Sequence, residues 1–432
     1  MKKVDIALLG FGTVGSGVAE ALHRNGATIE QQLGCRLHIK TVLVRDPSKY
    51  QDHPLLKGVH LTSDFLDILS DPDIRIVIEV MGGIHPAKEY IYEALKEGRH
   101  VVSANKDVVA LYGPEIIQNA VMNKVNFSCE ASVGGGIPVL MPLHDSLAAN
   151  RIDQIIGIVN GTTNYILSSM TDTGGSYEAA LKEAQRLGFA EADPTNDVCG
   201  YDAARKLAIL GSIGFHANVT FNDVLVEGIE KITQQDVEYA RDMGYVIKLL
   251  AVAIRQEEGI SLSVYPAFVP EEHPLASVKG SYNAIYVTGN IVDDVMFYGR
   301  GAGSLPTASA VMGDIISTAK HIINGSAGTG MILTDIRQIP FYSSLRLADS
   351  YYFRLIVNDE TGVLSDIAKV FAENRISINK VVQKRRFENY AEIMLIVDCT
   401  PRENIICVEK ALKQLSTVKE VANIVRVMTH EN

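Results

Sequence analysis

Over its first hundred or so positions the chain alternates short apolar runs with stretches of helical spacing. Val4-Asp-Ile-Ala-Leu-Leu9 is nearly continuous in apolar residues, the pattern of a strand buried on both faces. It runs into Gly10-Phe-Gly12-Thr-Val-Gly15 and then into helical spacing as far as about His23. Leu37 to Val44 predicts a second strand, closed by the turn at Asp46-Pro47. A helical stretch from Asp64 to Leu69 passes through Asp71-Pro72 into the apolar run Ile74 to Val80. Pro86 opens a helix that stops at Gly98, and His100-Val-Val-Ser103 predicts the next strand. This alternation predicts a parallel, doubly wound α/β sheet over residues 1–149.

From Asn150 the texture changes to α+β. A strand over Gln154 to Val159 is followed by helices over Ser176 to Leu187 and Ala203 to Ile213, then by β-patterned segments, Ile260 to Phe268 and Ala284 to Phe297. The loop Gly299 to Pro306 enters a helix over Thr307 to Asn324 that can pack back on the first domain. Residues 150–325 are therefore expected as a second domain and 326–350, rich in Gly, Pro and Ser, as a linker. Beyond it, Tyr351 to Val357 alternates as a strand does and Val363 to Glu373 as an amphipathic helix. Strands at Ser377 to Arg385 and Asn389 to Val397, a helix at Glu403 to Leu415 and a strand at Val418 to Val427 complete a βαββαβ, ferredoxin-like order. Residues 351–432 are expected as a separate domain.

The net charge of −11 over 432 residues argues against nucleic acid and anionic membranes as partners. Five cysteines at Cys35, Cys129, Cys199, Cys399 and Cys407 lack paired short spacings, so they read as reduced thiols of a cytoplasmic protein. The apolar stretch Val4 to Gly10 is too short for a signal segment or a membrane span.

Gly10, Gly12 and Gly15 form G-x-G-x-x-G between a strand and a helix, the Rossmann-type dinucleotide turn. Backbone from Gly10 through Phe11, Gly12, Thr13, Val14 and Gly15 would meet the pyrophosphate at the helix N-terminus. At the end of the second strand, Arg45 would take the 2′-phosphate of NADP. A shift of one residue would put Asp46 there and favour NAD.

Two lysines stand out. Lys106 follows a buried strand in Ser103-Ala-Asn-Lys106, at the carboxyl edge where such sheets bind ligands. Lys206 closes the dense block Glu191-Ala-Asp193-Pro-Thr-Asn-Asp197-Val-Cys-Gly-Tyr-Asp202-Ala-Ala-Arg-Lys206, in which Asp202 and Lys206 share a helix face. An exposed ion pair would explain them, but three acids feeding an apolar helix suit a cleft. There, acids can bind an ammonium group and a desolvated lysine can give a proton to an alkoxide.

Together with Glu130-Ala-Ser-Val-Gly-Gly-Gly-Ile-Pro138, Asn160-Gly-Thr-Thr-Asn164 and Gly301-Ala-Gly-Ser-Leu-Pro-Thr307, these motifs resemble homoserine dehydrogenase of the monofunctional kind. The resemblance implies reversible reduction of L-aspartate 4-semialdehyde to L-homoserine. Lys206 would be the proton donor, assisted by Lys106, with Glu191, Asp202 and the nearby Asp197 on the substrate side. It also implies cofactor contacts at Gly188 and Gly303, although Gly188 equally suits a helix stop. A sodium site is implied at Glu130 with main-chain oxygens of Val133, Gly135 and Ile137; oxygen ligands suit hard cations.

Asn358-Asp-Glu-Thr-Gly362-Val-Leu resembles the strand-turn-helix opening of ACT domains. This implies amino-acid feedback, with L-threonine the leading effector and Asn358, Gly362 and Asn379 near it. Lys384-Arg-Arg386 reads as a charged hairpin turn. Deleting residues after about Ser350 is expected to leave activity and remove threonine sensitivity. A homodimer or homotetramer is expected from the β-rich middle, where a sheet can continue between subunits, and from pairing of ACT modules. Two other readings remain at this stage: a phosphorylating semialdehyde dehydrogenase using Cys129 or Cys199, and a non-catalytic NADP sensor.

Overall fold

The structure, a computed structural model, describes residues 2–326, 328, 337–343, 345–387 and 390–428, with backbone only over 384–387. The first stretch of chain gives β1 (Lys3–Leu9), α1 (Thr13–Leu33), β2 (Arg36–Leu43), β3 (His60–Thr62), α2 (Leu66–Leu69), β4 (Ile74–Glu79), α3 (Ala87–Lys96), β5 (His100–Ser103), α4 (Lys106–Met122) and β6 (Phe127–Ser128). Next come β7 (Ile152–Ile158), α5 (Gly161–Thr173), α6 (Tyr177–Arg186), α7 (Thr195–Val198), α8 (Tyr201–Phe215), β8 (Leu225–Val226) and α9 (Gln234–Asp242). They are followed by β9 (Tyr245–Gln256), β10 (Gly259–Pro270), β11 (Tyr282–Gly289), β12 (Asp293–Arg300) and α10 (Ser304–Ile323). The tail is β13 (Ala348–Val357), α11 (Val363–Glu373), β14 (Ile378–Phe387), β15 (Tyr390–Pro401), α12 (Arg402–Leu412) and β16 (Val418–Val427).

Two compact units divide the chain: Met1–Val159 with Arg205–Val224 and Tyr282–Ile339, and Asn160–Ala204 with Leu225–Ser281 and Pro340–Asn432. In the first, six strands run in the order β3-β2-β1-β4-β5-β6, all parallel. This is the doubly wound order, with its switch point beside β1. One face is covered by α1 and by α10, whose Ala308, Val311, Met312, Ile315 and Ala319 enter the same core as Val18 and Leu37. The same unit holds the antiparallel order β12-β11-β7. The segment expected as one β-patterned stretch, Ala284 to Phe297, is a hairpin, because the chain turns between Gly289 and Asp293.

In the second unit β10 pairs antiparallel with β9 and parallel with β8, and the tail forms β16-β13-β15-β14 with α11 and α12 packed on it. The ferredoxin-like plan is as expected, and one of its strands also pairs outside the tail. Parallel pairing of Ala267 with Arg426 and Phe268 with Val427 joins β10 to β16. An edge strand left bare exposes unpaired backbone groups, and this pairing removes one on each side. Phe268 stacks on Tyr352 at 4.5 Å, and Arg354 donates to the buried Asp236 of α9 at 2.8 Å. Truncation after Ser350 would strand the Asp236 carboxylate, a loss of about 3–5 kcal/mol when a buried pair loses one member.

The expected linker lies partly outside the described residues. Its described part is pinned, since Ile260 donates to Pro340 O and Tyr342 to Ile260 O. Of the Lys384 to Arg386 turn, the backbone continues β14 to Phe387, opposite Tyr390; residues 388–389 lie outside the described residues.

Candidate active site

The glycine turn follows directly from β1. Gly10 has φ +98 and donates to Leu43 O at 2.9 Å, which fixes the chain between the two strand ends. A Cβ on Gly15 would lie 2.2 Å from Gly10 O, so the helix can close on the turn only without a side chain. Around Gly12, by contrast, nothing lies within 4 Å of the Cβ position, leaving open space over the first amides of α1 at Thr13 and Val14. Such space at a helix N-terminus is what a pyrophosphate requires. Phe11 is buried and turns its ring edge-on to Tyr50 and His53, so only its backbone belongs to the turn.

Gly303, with φ +128, caps α10, and the next residue, Ser304, donates its hydroxyl to Thr13 O at 2.7 Å. The starts of α10 and α1 thus adjoin. Gly188 belongs to the second unit, where its left-handed φ of +79 and its bond to Gln185 O end α6. Arg45 is exposed two residues beyond β2. The Asp46 carboxylate is turned to Ser48, accepting from its hydroxyl at 2.6 Å and its amide at 3.2 Å, and those bonds hold its pKa below the ordinary value.

Lys106 is the first residue of α4, and three polar residues set its position. Asn105 caps the helix by accepting from Val108 N, and its amide donates to Gly83 O at 2.7 Å. Glu79, at the carboxyl end of β4 and 0% exposed, accepts from Ser103 Oγ at 2.7 Å and from Met81 N at 2.9 Å. Asn105 Nδ2 also reaches Glu79, at 3.4 Å. Burial raises the Glu79 pKa more than these bonds lower it. Glu79 was not singled out from the sequence; an acid ending a largely apolar strand was its one visible sign.

A cavity of about 230 Å³ in the first unit is lined by both Lys106 and Lys206, with Gly82, Ser132, Gly135 and Thr307 among its walls. Lys206 is only 9% exposed and donates to Val159 O at 2.7 Å. Beside it, Arg205 pairs with Asp107 at 3.0 Å and lies over the Phe221 ring. Gly136 N donates to Arg300 O at 3.0 Å, holding the two glycine loops of the wall together.

Glu130, expected at the sodium site, is engaged by backbone amides. Its buried carboxylate accepts from Val139, Leu140 and Met141 N at 2.5, 2.8 and 2.7 Å, so it caps the following turn. Asp314 of α10 accepts from Glu130 N at 2.9 Å; burial, with Glu130 nearby, lifts its pKa well above the usual carboxylate range. A cation at this loop would be left to main-chain oxygens of residues 130–137. The consecutive left-handed residues Gly134 and Gly135 give the curled backbone that such a ligand set needs.

In the second unit Asn160 is the organising residue. Its amide N donates to Asp197 at 2.7 Å and Asp202 at 2.9 Å, while its oxygen accepts from Thr163 N and Oγ1. All four hydrogen-bonding positions of the side chain are used. Asp202 is 4% exposed and Asp197 half-buried; Glu191 is exposed, its main-chain oxygen taken by Gln185. Asp193 is a turn cap for Thr195. A second buried lysine, Lys248 of β9, donates to Asn164 and Val278 O, and burial brings its pKa down to about 8.

In the tail, Asn358 N bonds Thr417 O and its side chain donates to Glu360. Gly362 starts α11 with φ +97, and Asn379 donates to Asp398 at 3.1 Å. The thiols do not suit nucleophilic catalysis. Cys129 is buried and its pKa pushed far up by desolvation, and Cys199 is raised to about 11 by burial and by its bond to Glu230.

A doubly wound parallel sheet, a dinucleotide turn and a cavity holding two lysines at the sheet's carboxyl edge define a nicotinamide-dependent dehydrogenase. Family comparison matches residues 10–130 to "Homoserine dehydrogenase, NAD binding domain", residues 138–316 to "Homoserine dehydrogenase" and residues 351–417 to "ACT domain". The homoserine dehydrogenase of Bacillus subtilis is 42% identical over 429 residues, 99% of each chain. That of Corynebacterium glutamicum is 40% identical over 438 residues, 98% of this chain and 95% of the relative. A solved homoserine dehydrogenase from Thiobacillus denitrificans matches with TM-score 0.94 and 39% identity over 99% of both chains. A hyperthermophilic archaeal homoserine dehydrogenase, solved with NADPH, matches with TM-score 0.63 and 26% identity over 73% of this chain and 97% of that one. The chain belongs to the homoserine dehydrogenase family, with NAD-binding, catalytic and ACT domains, and is an oxidoreductase acting on a CH–OH group.

Proposed function

We propose that Lys206 is the proton donor in reduction of L-aspartate 4-semialdehyde to L-homoserine, with Lys106 assisting in the same cavity. The observation that supports this is the convergence of both lysines on one cavity at the carboxyl edge of the parallel sheet. NADPH held at the Gly10 to Gly15 turn would supply the hydride that reduces the aldehyde carbon. The Lys206 ammonium gives a proton to the aldehyde oxygen as that oxygen gains the C=O electron pair, so the product is the primary alcohol. Val159 O holds the lysine nitrogen in place. Asp197 and Asp202, kept together by Asn160, take the substrate ammonium, with Glu191 as a further carboxylate.

NADP is the preferred cofactor in this reading, because Arg45 is exposed beyond β2 while Asp46 is engaged by Ser48. Cofactor contacts at Gly188 and Gly303, and a sodium ion on main-chain oxygens of Glu130, Val133, Gly135 and Ile137, belong to the same proposal. So do three ligand-binding and regulatory domains divided near residues 150 and 350, L-threonine as effector near Asn358, Gly362 and Asn379, a homo-oligomer and a cytoplasmic location. Among the described residues no helix is long and apolar enough to cross a membrane.

Replacing Lys206 by Ala should lower kcat by about 10²–10⁴-fold, the usual contribution of a positioned acid. NADPH affinity, read by fluorescence titration, should be unchanged; turnover near that of the parent enzyme would refute the role. In parallel, Arg45→Ala should raise the KM for NADP and leave that for NAD.

A further inference from the structure

We propose that the ion pair between Arg205 and Asp107 is a positioning clamp for the two lysines of the cavity. It ties the helix that carries Lys206 to the helix that begins with Lys106, and so fixes how both amines face the shared space. Its role rests on reading Lys206 as the proton donor and Lys106 as the assisting amine.

Each partner is next in sequence to one of the lysines. Neighbouring residues of an α-helix are set about 100° apart around the axis and about 1.5 Å apart along it. Arg205 therefore leaves α8 beside Lys206, and Asp107 leaves α4 beside Lys106. Arg205 Nε meets Asp107 Oδ1 at 3.0 Å. A rotation of either helix that swung its lysine out of the cavity would have to break this contact. Asp107 lines the cavity together with Lys106 and Lys206, so the clamp belongs to its wall.

The contact is supported at both ends. The Arg205 guanidinium lies over the Phe221 ring, 5.1 Å from its centre. The turn bearing Phe221 is itself fixed, because the amide and hydroxyl of Thr220 both donate to Asp223 at 2.8 Å. Asp107 lies in the first turn of α4, where the helix dipole favours a carboxylate, and Asn105 caps that helix. With side chains 24% and 34% exposed, the pair adds little to folding, so its removal should cost rate and not stability.

The pair also balances charge. Together its members bring no net charge to the lysines; either one alone does. Asp107 alone would favour the ammonium form of a lysine, and Arg205 alone the neutral amine. The acids on the surrounding elements are Asp202, one turn earlier on α8, Glu79, which accepts from Asn105, and Glu130, whose carboxylate is turned to the amides of 139–141. All three stay in place when the clamp is removed. Aldehyde reduction requires Lys206 protonated, so its rate falls as pH passes the lysine's pKa.

Kinetics of aldehyde reduction in Asp107→Asn, Arg205→Gln, their double variant and Arg205→Lys test the clamp, with Lys206→Ala measured alongside. Each single variant should keep the parent melting temperature and NADPH affinity, while kcat falls by about tenfold to a hundredfold, the scale of a small misplacement of reacting groups. The basic limb of the kcat profile should move to higher pH in Arg205→Gln and to lower pH in Asp107→Asn. In the double variant the limb should return to the parent's position, and kcat should fall no further than in the worse single variant. Arg205→Lys, which keeps the charge, should lie between Arg205→Gln and the parent. Single variants with the parent kcat, losses that multiply in the double variant, or limbs that move the same way would overturn the clamp. So would a melting temperature that falls in step with kcat. Lys206→Ala with parent turnover would remove the proton-donor reading and the clamp with it. An inactive Lys206→Ala beside parent-like pair variants would remove the clamp alone.

Discussion

The glycine turn and the Asp197–Asp202 pair are built on opposite principles. Around Gly10 to Gly15 the chain removes side chains so that backbone can approach backbone, and a single missing Cβ at Gly15 sets the geometry. Around Asp197 and Asp202 the chain adds a side chain: Asn160 donates one N–H to each carboxylate and so holds two like charges close together. The first device works through exclusion and tolerates no added atom. The second works through hydrogen-bond polarity and tolerates no change of donor into acceptor.

Gly15→Ala should have the largest effect. The added carbon falls 2.2 Å from Gly10 O, against backbone that cannot move aside as a flexible side-chain end would. Overpacking of this kind costs about 1–3 kcal/mol or more, so thermal melting should drop and NADP binding be lost with it. Gly12→Ala, with no atom within 4 Å, provides the control. It should melt within about 0.5 kcal/mol of the parent and yet bind NADP more weakly, because the methyl occupies the pyrophosphate's space. Equal loss of stability in the two variants would erase the distinction between a packing glycine and a ligand glycine.

Asn160→Asp comes next. It is nearly isosteric, yet it removes both donors and inserts a third carboxylate between Asp197 and Asp202. Two hydrogen bonds to charged groups, at about 1.5–3 kcal/mol each, are converted to repulsion. The kcat/KM for homoserine should fall by about a hundredfold or more, while the KM for NADP stays within about twofold of the parent. A matched fall in both would point to general unfolding instead.

The same contrast explains what could be read from residues alone. The glycine spacing, the two lysines and the acid block were legible because local sequence carries them: a turn, a strand end, a helix face. The βαββαβ order was legible for the same reason. Glu79 was not, nor were the bonds that Asn160 makes from its quoted motif, since the partners Ser103, Asn105, Asp197 and Asp202 lie far along the chain. The hydrogen bonds of Glu130 were not legible, because an acid's charge is visible in sequence, whereas the three amides that bond it are not. The pairing of β16 with β10 was not legible, because β16 has the same periodicity whether its edge is bare or paired.

Glu79 sharpens the comparison with the smallest effect. It supports Lys106 as Asn160 supports the aspartates, but with a buried carboxylate in place of an amide. Its pKa lies above the ordinary 4.5 because burial disfavours the charged form. The unfolded chain therefore ionises this group first as pH rises. Stability from it is intact below about 4.5 and declines as pH climbs through the raised native value. Glu79→Gln removes that decline and keeps a polar group against Ser103 and Asn105. The melting temperature of the variant, relative to the parent, should accordingly rise steadily between acid and neutral pH, whatever the sign of its offset at the acid end. Parallel melting curves across that range would show that the native carboxyl titrates as it does in the unfolded chain, and that Glu79 holds the Lys106 turn without any electrostatic cost.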